Sequence, residues 1–523
     1  MNRLSRALSH ERLYWLSAIL WVVLLLPDLG ARYSFGWDSS QFDRAVSDFD
    51  LIRHHPHPPG YPLWVLALRG VTPLVGNPNR AQVLLAMLFT AAALWFFRAQ
   101  ARELLGERGS LAATVLLAFS PVVCLNANSS QVYAVDLFLS CFAGWVAAGL
   151  CSGRSNRAVP GLAVVALASG CRPSGGVFLF PLLGLALWQC GRKRPLQAGA
   201  GLLAGAACWL AWLVPTALMT GGFSVLAALN HAQMESSFRK TSVFYGAAPI
   251  VHAHKVVEVS LYFAMALCAF LIPVAVSLRL RRTQEAAETA HARPAWATPV
   301  FFLLWLAPNL ALVYVFHCSQ PGYILLSVPP LALLLGWLAR GRLKRPEWAA
   351  AGLAAALLVS YFPYEKFILA TQSRLPFLFL RATPRISRLN ETSQRELRTL
   401  IDSMPGRPEE KLLVCLRSEF EAPDIRTVTY DFADVVWADY AGARLRVFLP
   451  HEAGVAARVP TTVHSVAWLC DGRGLPVTLA RRYPDIRRIA GNPLYSFWVL
   501  PERGSQAEAI LRALPTNDQA AGP

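Results

Sequence analysis

The sequence predicts a polytopic α-helical membrane protein with eleven transmembrane helices and a small C-terminal extracytoplasmic α/β domain. Of its 523 residues, 54% are hydrophobic and 15% are charged, whereas soluble proteins carry about 25% charged residues. Apolar runs of about 17 to 20 residues recur as far as residue 363, and each is long enough to cross a hydrocarbon core roughly 30 Å thick. Residues 364–523 are more polar. An ordinary cytosolic enzyme is therefore excluded.

The net charge of +17 is explained by membrane topology and does not indicate a nucleic-acid partner. Residues 1–363 hold 28 Lys/Arg and 14 Asp/Glu, so most of the excess lies in the apolar part of the chain, where Lys and Arg orient helices.

The predicted spans are residues 13–29, 81–97, 110–126, 132–151, 158–170, 175–190, 197–219, 258–280, 296–316, 323–340 and 347–363.

An odd number of spans places the two termini on opposite sides of the membrane. With the N-terminus inside, 19 of the 28 Lys/Arg of the membrane part fall in inner loops. The positive-inside rule then predicts a cytoplasmic N-terminus and a C-terminal domain outside. The Ala/Leu/Arg-rich composition and the short loops favour a bacterial inner membrane with a periplasmic C-terminal domain. An endoplasmic-reticulum location would preserve the same orientation.

Two segments depart from simple crossing helices. Residues 61–75 are apolar but contain Arg69 and Pro73, which favours a helix lying at the outer interface. Residues 158–170 and 175–190 are short and separated by Gly and Pro, so they form either a crossing hairpin or a partly re-entrant one. A total of nine to thirteen transmembrane spans is therefore compatible with the sequence.

The predicted domain boundary lies at residue 363, with a transmembrane catalytic domain over 1–363 and an α/β domain over 364–523. Within the second domain, strand-like runs occupy 411–416, 444–449, 461–470 and 495–500, and a helix occupies 393–403. Cys415 and Cys470 lie in this polar part and could form one disulfide in an oxidising compartment.

The first outer loop, residues 30–60, is a candidate active site. It contains Asp38, Asp43, Asp48, Asp50, His54, His55 and His57. Its prolines stiffen the backbone, although the same residues also suit a solvated connection between helices. The histidines have no helical spacing and no Cys joins them, so a zinc site is not predicted. No cofactor is predicted, and a divalent metal is not indicated.

This loop resembles the first extracytoplasmic loop of the GT-C superfamily of integral-membrane glycosyltransferases, specifically its protein O-mannosyltransferase-like family. The resemblance rests on Asp38, soon after the first helix, and on the stretch His-Pro-Pro-Gly-Tyr-Pro-Leu at residues 57–63. Weaker similarities are Gln-Val-Tyr-Ala-Val-Asp at 131–136, where relatives more often show Glu-Val-Tyr, and His-Cys-Ser-Gln-Pro-Gly-Tyr at 317–323.

The resemblance implies a GT-C-like fold, a polyprenyl-phosphate-linked sugar donor and transfer to a hydroxyl of a protein, lipid or glycan acceptor outside the membrane. Sugar transfer to a hydroxyl needs a general base, and a carboxylate also stabilises oxocarbenium charge. The resemblance gives this role to Asp38, which the residues alone do not separate from Asp43 or Asp48. The family's second acidic residue is here Gln41, or Asp43, which weakens any two-carboxylate or metal-assisted scheme.

A leaving lipid phosphate needs cations or N–H donors at the interface. Arg172, at the predicted outer turn of the short hairpin, is the main candidate, and its alternative is a structural pair with Asp136. His57 either binds phosphate or sugar or bonds to the backbone of its Pro-rich turn. The remaining predicted donor-binding residues, each with a structural alternative at a helix end, are Tyr133, His317, Gln320 and Tyr323. Weaker candidates are Arg239, Lys240 and Lys255.

Three other functions remain open on the sequence. A transporter or flippase of a lipid-linked or small polar substrate would share the polytopic architecture, but such proteins often show paired halves with polar residues near the midplane. An enzyme that moves a whole oligosaccharide or a phospho-group would share the topology, and a scaffold is the third option. The sequence does not identify the sugar or the acceptor.

Overall fold

The computed structural model describes residues 12, 16–280, 294–318, 320–371, 375–403, 411–415, 446–448, 465–471, 487–491 and 495–500. The helices of this part are α1 (Leu16–Gly30), α2 (Trp37–Ser47), α3 (Pro62–Val75), α4 (Pro78–Ala118), α5 (Pro121–Asn128), α6 (Ala134–Cys151), α7 (Ala158–Cys171), α8 (Pro173–Phe178), α9 (Phe180–Gly191), α10 (Pro195–Thr220), α11 (Phe223–Arg239), α12 (Pro249–Leu280), α13 (Pro299–Ala311), α14 (Val328–Leu338), α15 (Arg340–Leu343), α16 (Pro346–Tyr361), α17 (Tyr364–Thr371), α18 (Leu375–Arg381) and α19 (Arg385–Ser403).

Proline and glycine set the ends of several helices. Pro62 and Pro78 begin α3 and α4 at a position where the missing N–H costs no helical bond. Gly76 ends α3 in the left-handed region with φ of 71°. The Asn77 side chain then accepts a hydrogen bond from the Arg80 N–H at 3.0 Å and so caps α4.

Helix α4 joins two of the predicted spans, 81–97 and 110–126. Its helical geometry is broken at Gly106, where φ is 72°, so two helical rods meet at this residue. The second predicted span is divided again, because α4 ends at Ala118 and α5 begins at Pro121. The sequence therefore located the apolar stretches correctly, but it did not show that the turn between them is a single glycine.

Five helices of the described part are long and apolar enough to cross a membrane, or six if the bent pair α16 and α17 forms one span. Further apolar helices there are shorter, among them α1, α3, α9 and α14. A mostly helical membrane fold is thus established for the described residues. The number of eleven spans stays a prediction, as do the sidedness of the termini and the domain boundary at residue 363.

Helices of equal apolarity differ in what surrounds them. Within the apolar 18-residue stretch of α6, 89% is buried inside the protein, whereas in the corresponding stretch of α10 only 17% is buried. A helix that is apolar and exposed suits contact with lipid, and one that is apolar and buried forms part of the core. Helix α6 therefore forms a central element, packed against α4, α7 and α9.

Polar bonds connect α6 and α13 to the 3₁₀ turn Pro321–Leu326. The Ser140 hydroxyl of α6 donates to the Leu326 carbonyl at 2.6 Å and accepts from the Trp305 indole N–H at 3.0 Å. On α13, Asn309 Nδ2 donates to the Tyr323 carbonyl at 3.1 Å. Ser140, Trp305 and Asn309 are buried, and an unmade hydrogen bond is costly there. These bonds fix the backbone that carries Tyr323.

The chain divides into two compact units. The first comprises Met1–Ala31, Ala45–Pro363 and Leu378–Ser387, and the second comprises Arg32–Arg44, Tyr364–Phe377 and Arg388–Pro523. The first unit holds most of the apolar helices. Within the second unit, the carboxylate of Glu391 accepts the backbone N–H groups of Arg32 and Tyr33, each at 3.2 Å.

The second unit also contains a five-stranded sheet in the order β2-β1-β3-β5-β4. Its strands are β1 (Lys411–Cys415), β2 (Arg446–Phe448), β3 (Ser465–Asp471), β4 (Arg487–Gly491) and β5 (Tyr495–Leu500). Strand β1 pairs in parallel with β2 and β3, while β5 is antiparallel to both β3 and β4. Four strands fall on predicted runs, and β4 was not predicted. The side chains of Cys415 and Cys470 lie outside the described residues, so their pairing stays a prediction.

Candidate active site

The segment 57–63 is folded into a tight turn that leads into α3. Before it, the backbones of Asp50 and His55 exchange two hydrogen bonds of 2.7 Å. Within it, the Gly60 N–H donates to the His57 carbonyl at 3.0 Å. Gly60 has φ of 101°, and a Cβ there would press on Leu51, so this position requires glycine. The turn brings His57 Nε2 to 3.0 Å from the Tyr61 hydroxyl.

Arg172 and Asp136 join this turn in one buried hydrogen-bond network. Arg172 Nη1 donates to the Tyr61 hydroxyl at 3.1 Å, and Arg172 Nε donates to Asp136 Oδ2 at 3.0 Å. Arg172 and Asp136 are each 3% exposed. The turn, the start of α6 and the junction between α7 and α8 therefore meet at one guanidinium. This network connects four side chains that lie up to 115 positions apart in the sequence.

Three tyrosine rings surround the Arg172 guanidinium. Its central carbon lies 4.4 Å from the Tyr133 ring centroid and 5.6 Å from the centroids of Tyr61 and Tyr323. Tyr133 and Tyr323 are themselves 5.2 Å apart, centroid to centroid. Aromatic faces attract cations, most strongly where water is excluded. The rings therefore hold the charge of Arg172 in a defined position.

The ion pair between Arg172 and Asp136 is closely packed. A Cβ at Gly175 would overlap Asp136 Oδ1, so this carboxylate lies directly against the α8 backbone. Asp136 Oδ1 accepts no hydrogen bond from the described residues. Removing one partner of a buried pair typically costs ~3–5 kcal/mol, because the other charge is left uncompensated. The structural alternative for Arg172, pairing with Asp136, is therefore a real contact, and it leaves further N–H donors of the guanidinium unused by the described contacts.

His317 continues this cluster on the far side of Tyr323. The two ring centroids lie 5.4 Å apart, edge to face, and His317 Nδ1 lies 3.0 Å from the Thr241 hydroxyl. Burial, together with the positive charges of Lys255 and Lys240, lowers the pKa of His317 to about 3. The imidazole is therefore neutral at physiological pH and can offer one donor and one acceptor but no charge.

Gln320 lies beside these residues, but its described contacts come from the backbone. Its carbonyl accepts the Tyr323 N–H at 3.2 Å, at the start of the Pro321–Leu326 turn. The structure thus brings together His57, Tyr133, Arg172, Tyr323 and His317 within the first unit. A side-chain role for Gln320 stays a prediction.

The contacts of Asp43, Asp48 and Asp50 in the first outer loop are as follows. Asp43 accepts a hydrogen bond from the Ser34 hydroxyl. Asp48 and Asp50 both pair with Arg53, at 3.3 Å and 2.8 Å. These last contacts are on the surface, since half of the Asp48 side chain is exposed. Such pairs suit a solvated turn better than a reaction centre.

Asp38 lies in the first turn of α2 and is half-buried. The N-terminus of a helix stabilises a carboxylate by its exposed N–H groups and its dipole. Asp38 belongs to the second unit, whereas the other predicted site residues belong to the first. Its assignment as the base stays a prediction.

Residues 55–218 match a family model described as dolichyl-phosphate-mannose-protein mannosyltransferase. The matched segment contains His57, Tyr61, Tyr133, Asp136 and Arg172, so the whole polar network lies inside it. A search of the curated proteins gave no match to this chain.

The fold is similar to that of ArnT from Cupriavidus metallidurans in two crystal structures. The structure bound to undecaprenyl phosphate has a TM-score of 0.51 and 13% identity over 95% of this chain and 98% of that chain. The apo structure has a TM-score of 0.51 and 14% identity over 96% and 99%. At this level of identity the similarity concerns the fold. A weaker similarity, with a TM-score of 0.44 and 13% identity over 88% and 69%, is to the archaeal oligosaccharyltransferase AglB from Archaeoglobus fulgidus.

The structure also reveals buried polar contacts that the sequence did not indicate. Tyr61 lies within the quoted motif, but nothing in the motif indicated that its hydroxyl contacts Arg172. Glu258, Tyr262 and Arg381 form a buried group near the start of α12. Carboxylates are scarce in the membrane part of the sequence, and a buried acid in a lipid environment requires a partner. This scarcity was the sequence feature that could have singled out Glu258.

Proposed function

We propose that this protein is a GT-C glycosyltransferase, which transfers a sugar from a polyprenyl-phosphate-linked donor to an acceptor hydroxyl on the extracytoplasmic face of a membrane. The observation that carries the proposal is the network of Arg172, Asp136, Tyr61 and His57. It joins the motif that resembles the mannosyltransferase family to a buried cation. ArnT binds undecaprenyl phosphate in one of its structures, which supports a donor of this class.

In the proposed reaction, the acceptor oxygen forms a bond to the anomeric carbon of the sugar. The bond between that carbon and the phosphate oxygen breaks, and its electron pair stays on the lipid phosphate. The acceptor proton passes to the carboxylate of Asp38, acting as general base. Positive charge develops on the sugar and negative charge on the phosphate, so the two ends of the reacting bond need opposite electrostatic partners.

Arg172 and His57 are proposed to bind the donor phosphate. Arg172 is held by Asp136 and by aromatic rings, so it costs little reorganisation when negative charge develops. Its free N–H groups can form charge-assisted hydrogen bonds to phosphate oxygens. Tyr133, Tyr323, His317 and Gln320 are proposed to line the donor groove. The rings of Tyr133 and Tyr323 also exclude water from the guanidinium.

The family description favours mannose as the sugar, and the predicted topology favours a bacterial inner membrane with acceptors reached from the periplasm. The acceptor is proposed to be a hydroxyl of a protein, a lipid or a glycan. No nucleic acid is involved. The lipid bilayer serves both as the solvent of the helices and as the source of the donor.

Donor consumption by the purified full-length chain in proteoliposomes tests this proposal. Undecaprenyl-phosphate and dolichyl-phosphate sugars would be offered beside the corresponding nucleotide sugars, with a hydroxyl-rich acceptor mixture. We expect cleavage of a lipid-linked sugar and release of the free lipid phosphate, with nucleotide sugars untouched. Translocation of an intact lipid-linked sugar without cleavage would instead identify a flippase, and exclusive use of nucleotide sugars would refute the donor class.

A further inference from the structure

A second buried polar cluster lies at the start of α12, apart from the Arg172 network. Arg381 Nη1 donates to Glu258 Oε1 at 2.9 Å, and the Tyr262 hydroxyl donates to the same oxygen. Lys255, one turn before Glu258 on the same helix, is 3% exposed. Its Nζ makes one described hydrogen bond, a long one of 3.5 Å to the Thr241 carbonyl.

Lys255 forms no salt bridge among the described residues, and the carboxylate one turn away, Glu258, is engaged by Arg381. Arg172 is neutralised by Asp136, and Arg381 is neutralised by Glu258. In the part of the chain that the structure describes, no carboxylate lies within salt-bridge distance of Lys255 Nζ. A buried ammonium without an anion is costly both in protein and at membrane depth. A residue of this kind is therefore a candidate for binding an anion.

A chain of contacts through Thr241, His317 and Tyr323 links the Lys255 ammonium to the proposed donor site. Thr241 contacts both groups, since its carbonyl accepts from Lys255 and its hydroxyl lies 3.0 Å from His317 Nδ1. His317 packs edge to face on Tyr323, whose ring faces the Arg172 guanidinium. A neutral histidine and a tyrosine thus lie between Arg172, which is paired with Asp136, and Lys255, which forms no salt bridge among the described residues.

We propose that Lys255 binds the donor phosphate and carries the net positive charge that receives the leaving group. This inference rests on the proposed function and deepens it. Arg172, already paired with Asp136, then orients the phosphate by directional N–H bonds, whereas Lys255 supplies the uncompensated charge. A point charge on a flexible stem suits this role, because it can follow the phosphate as the bond to the sugar breaks. The competing role for Lys255 is structural, as a link to the Thr241 backbone.

Lipid selectivity distinguishes these roles. We would measure the affinity of the detergent-purified full chain for undecaprenyl phosphate and for undecaprenol, which lacks the phosphate. The variants are Lys255→Met, Lys255→Arg and, as a matched control, Lys193→Met. Lys193 is exposed in the turn after α9. We expect wild type, Lys255→Arg and Lys193→Met to prefer the phosphate-bearing lipid. Lys255→Met should lose at least ~10-fold of that preference, as for a lost charge-assisted hydrogen bond.

Thermal stability provides the second measurement. Without lipid, Lys255→Met should be as stable as wild type or more stable, because a buried charge without an anion is removed. Undecaprenyl phosphate should raise the Tm of wild type more than that of Lys255→Met. If Lys255→Met does not fold, Lys255→Gln takes its place, and failure of both to fold would establish the structural role and overturn the inference.

The outcomes separate this inference from the proposed function. A lost preference in Lys255→Met or Lys255→Gln, with unchanged stability, would support the phosphate contact. An unchanged preference in these variants would overturn it while leaving the donor class intact. A wild-type chain that does not distinguish the two lipids would refute the proposed donor class and, with it, the role of Lys255.

Discussion

The four acids of the first outer loop differ most at the level of single residues. Asp48 lies on the surface with Arg53 and His55, where its carboxylate is screened by water. Asp38 is half-buried in the first turn of α2. The two acids have the same chemistry, so any difference in their effect on transfer reports their position. This makes them a matched pair for mutation.

Replacing Asp38 with asparagine keeps the shape of the side chain and removes its basicity. If Asp38 accepts the acceptor proton, Asp38→Asn should lower the rate of sugar transfer in proteoliposomes by about 10²- to 10⁴-fold while donor binding persists. Asp48→Asn should change transfer little, because it removes only an exposed ion pair. Near-normal transfer by Asp38→Asn, or an equal loss in Asp48→Asn, would show that another group is the base.

The sequence named several residues that the structure brings together, but it indicated few of their contacts. Arg172 and its partner Asp136 were both identified, because ionisable residues are rare in apolar segments and need partners. The contact between Tyr61 and Arg172 joins positions 111 residues apart, and no spacing rule reaches that far. Lys255 remained one weak candidate among three, since its lack of a counter-ion becomes visible only when Glu258 is found bound to Arg381.

At the level of elements, the 3₁₀ turn Pro321–Leu326 positions the aromatic wall of the site. Gly322 lies so close to Tyr133 that a Cβ there would overlap the ring. The same ring lies 4.4 Å from the Arg172 guanidinium. The absence of a side chain at one glycine therefore sets where the cation lies. This connection can be tested without changing any charged or aromatic residue.

Gly322→Ala should displace the Tyr133 ring or the turn itself. Overpacking of this kind typically costs ~1–3 kcal/mol, and a small displacement of positioned groups can lower turnover by about 10²-fold. We therefore expect a lower Tm and transfer reduced by at least ~10-fold. The control is Gly341→Ala in α15, where a Cβ meets open space. Equal transfer by the two variants would show that the site does not depend on this packing.

Elements were predictable from the sequence where apolarity alone defines them. Long apolar runs gave most of the helices, and proline and glycine marked several of their ends. The break of α4 at Gly106 and the short β4 were not predicted. A single glycine within a polar stretch carries little signal, and the run Arg-Arg-Ile-Ala-Gly of β4 lacks the alternating pattern of a half-buried strand. The strand is stabilised by its pairing with β5, which its own composition does not predict.

At the level of the whole molecule, the arrangement of Lys and Arg predicts the orientation of the protein in the membrane. Two arginines lie in the turn before α7, at residues 154–157, and further Arg and Lys residues lie in the turn after α9 and at α15. The positive-inside rule predicts that these segments face the cytoplasm and that the first outer loop faces away from it. Donor and acceptor would then meet on the side that carries the first outer loop.

Cysteine labelling in intact cells tests this direction. The ten native cysteines would first be replaced, and a single Cys would then be placed at Ser47 or at Ser152, both of which are exposed. Ser47 ends α2 in the first outer loop, and Ser152 follows α6 beside the arginines of the next turn. A membrane-impermeant maleimide should label position 47 directly and position 152 only after permeabilisation. Labelling of position 152 in intact cells would invert the topology and move the Arg172 network to the cytoplasmic half of the membrane.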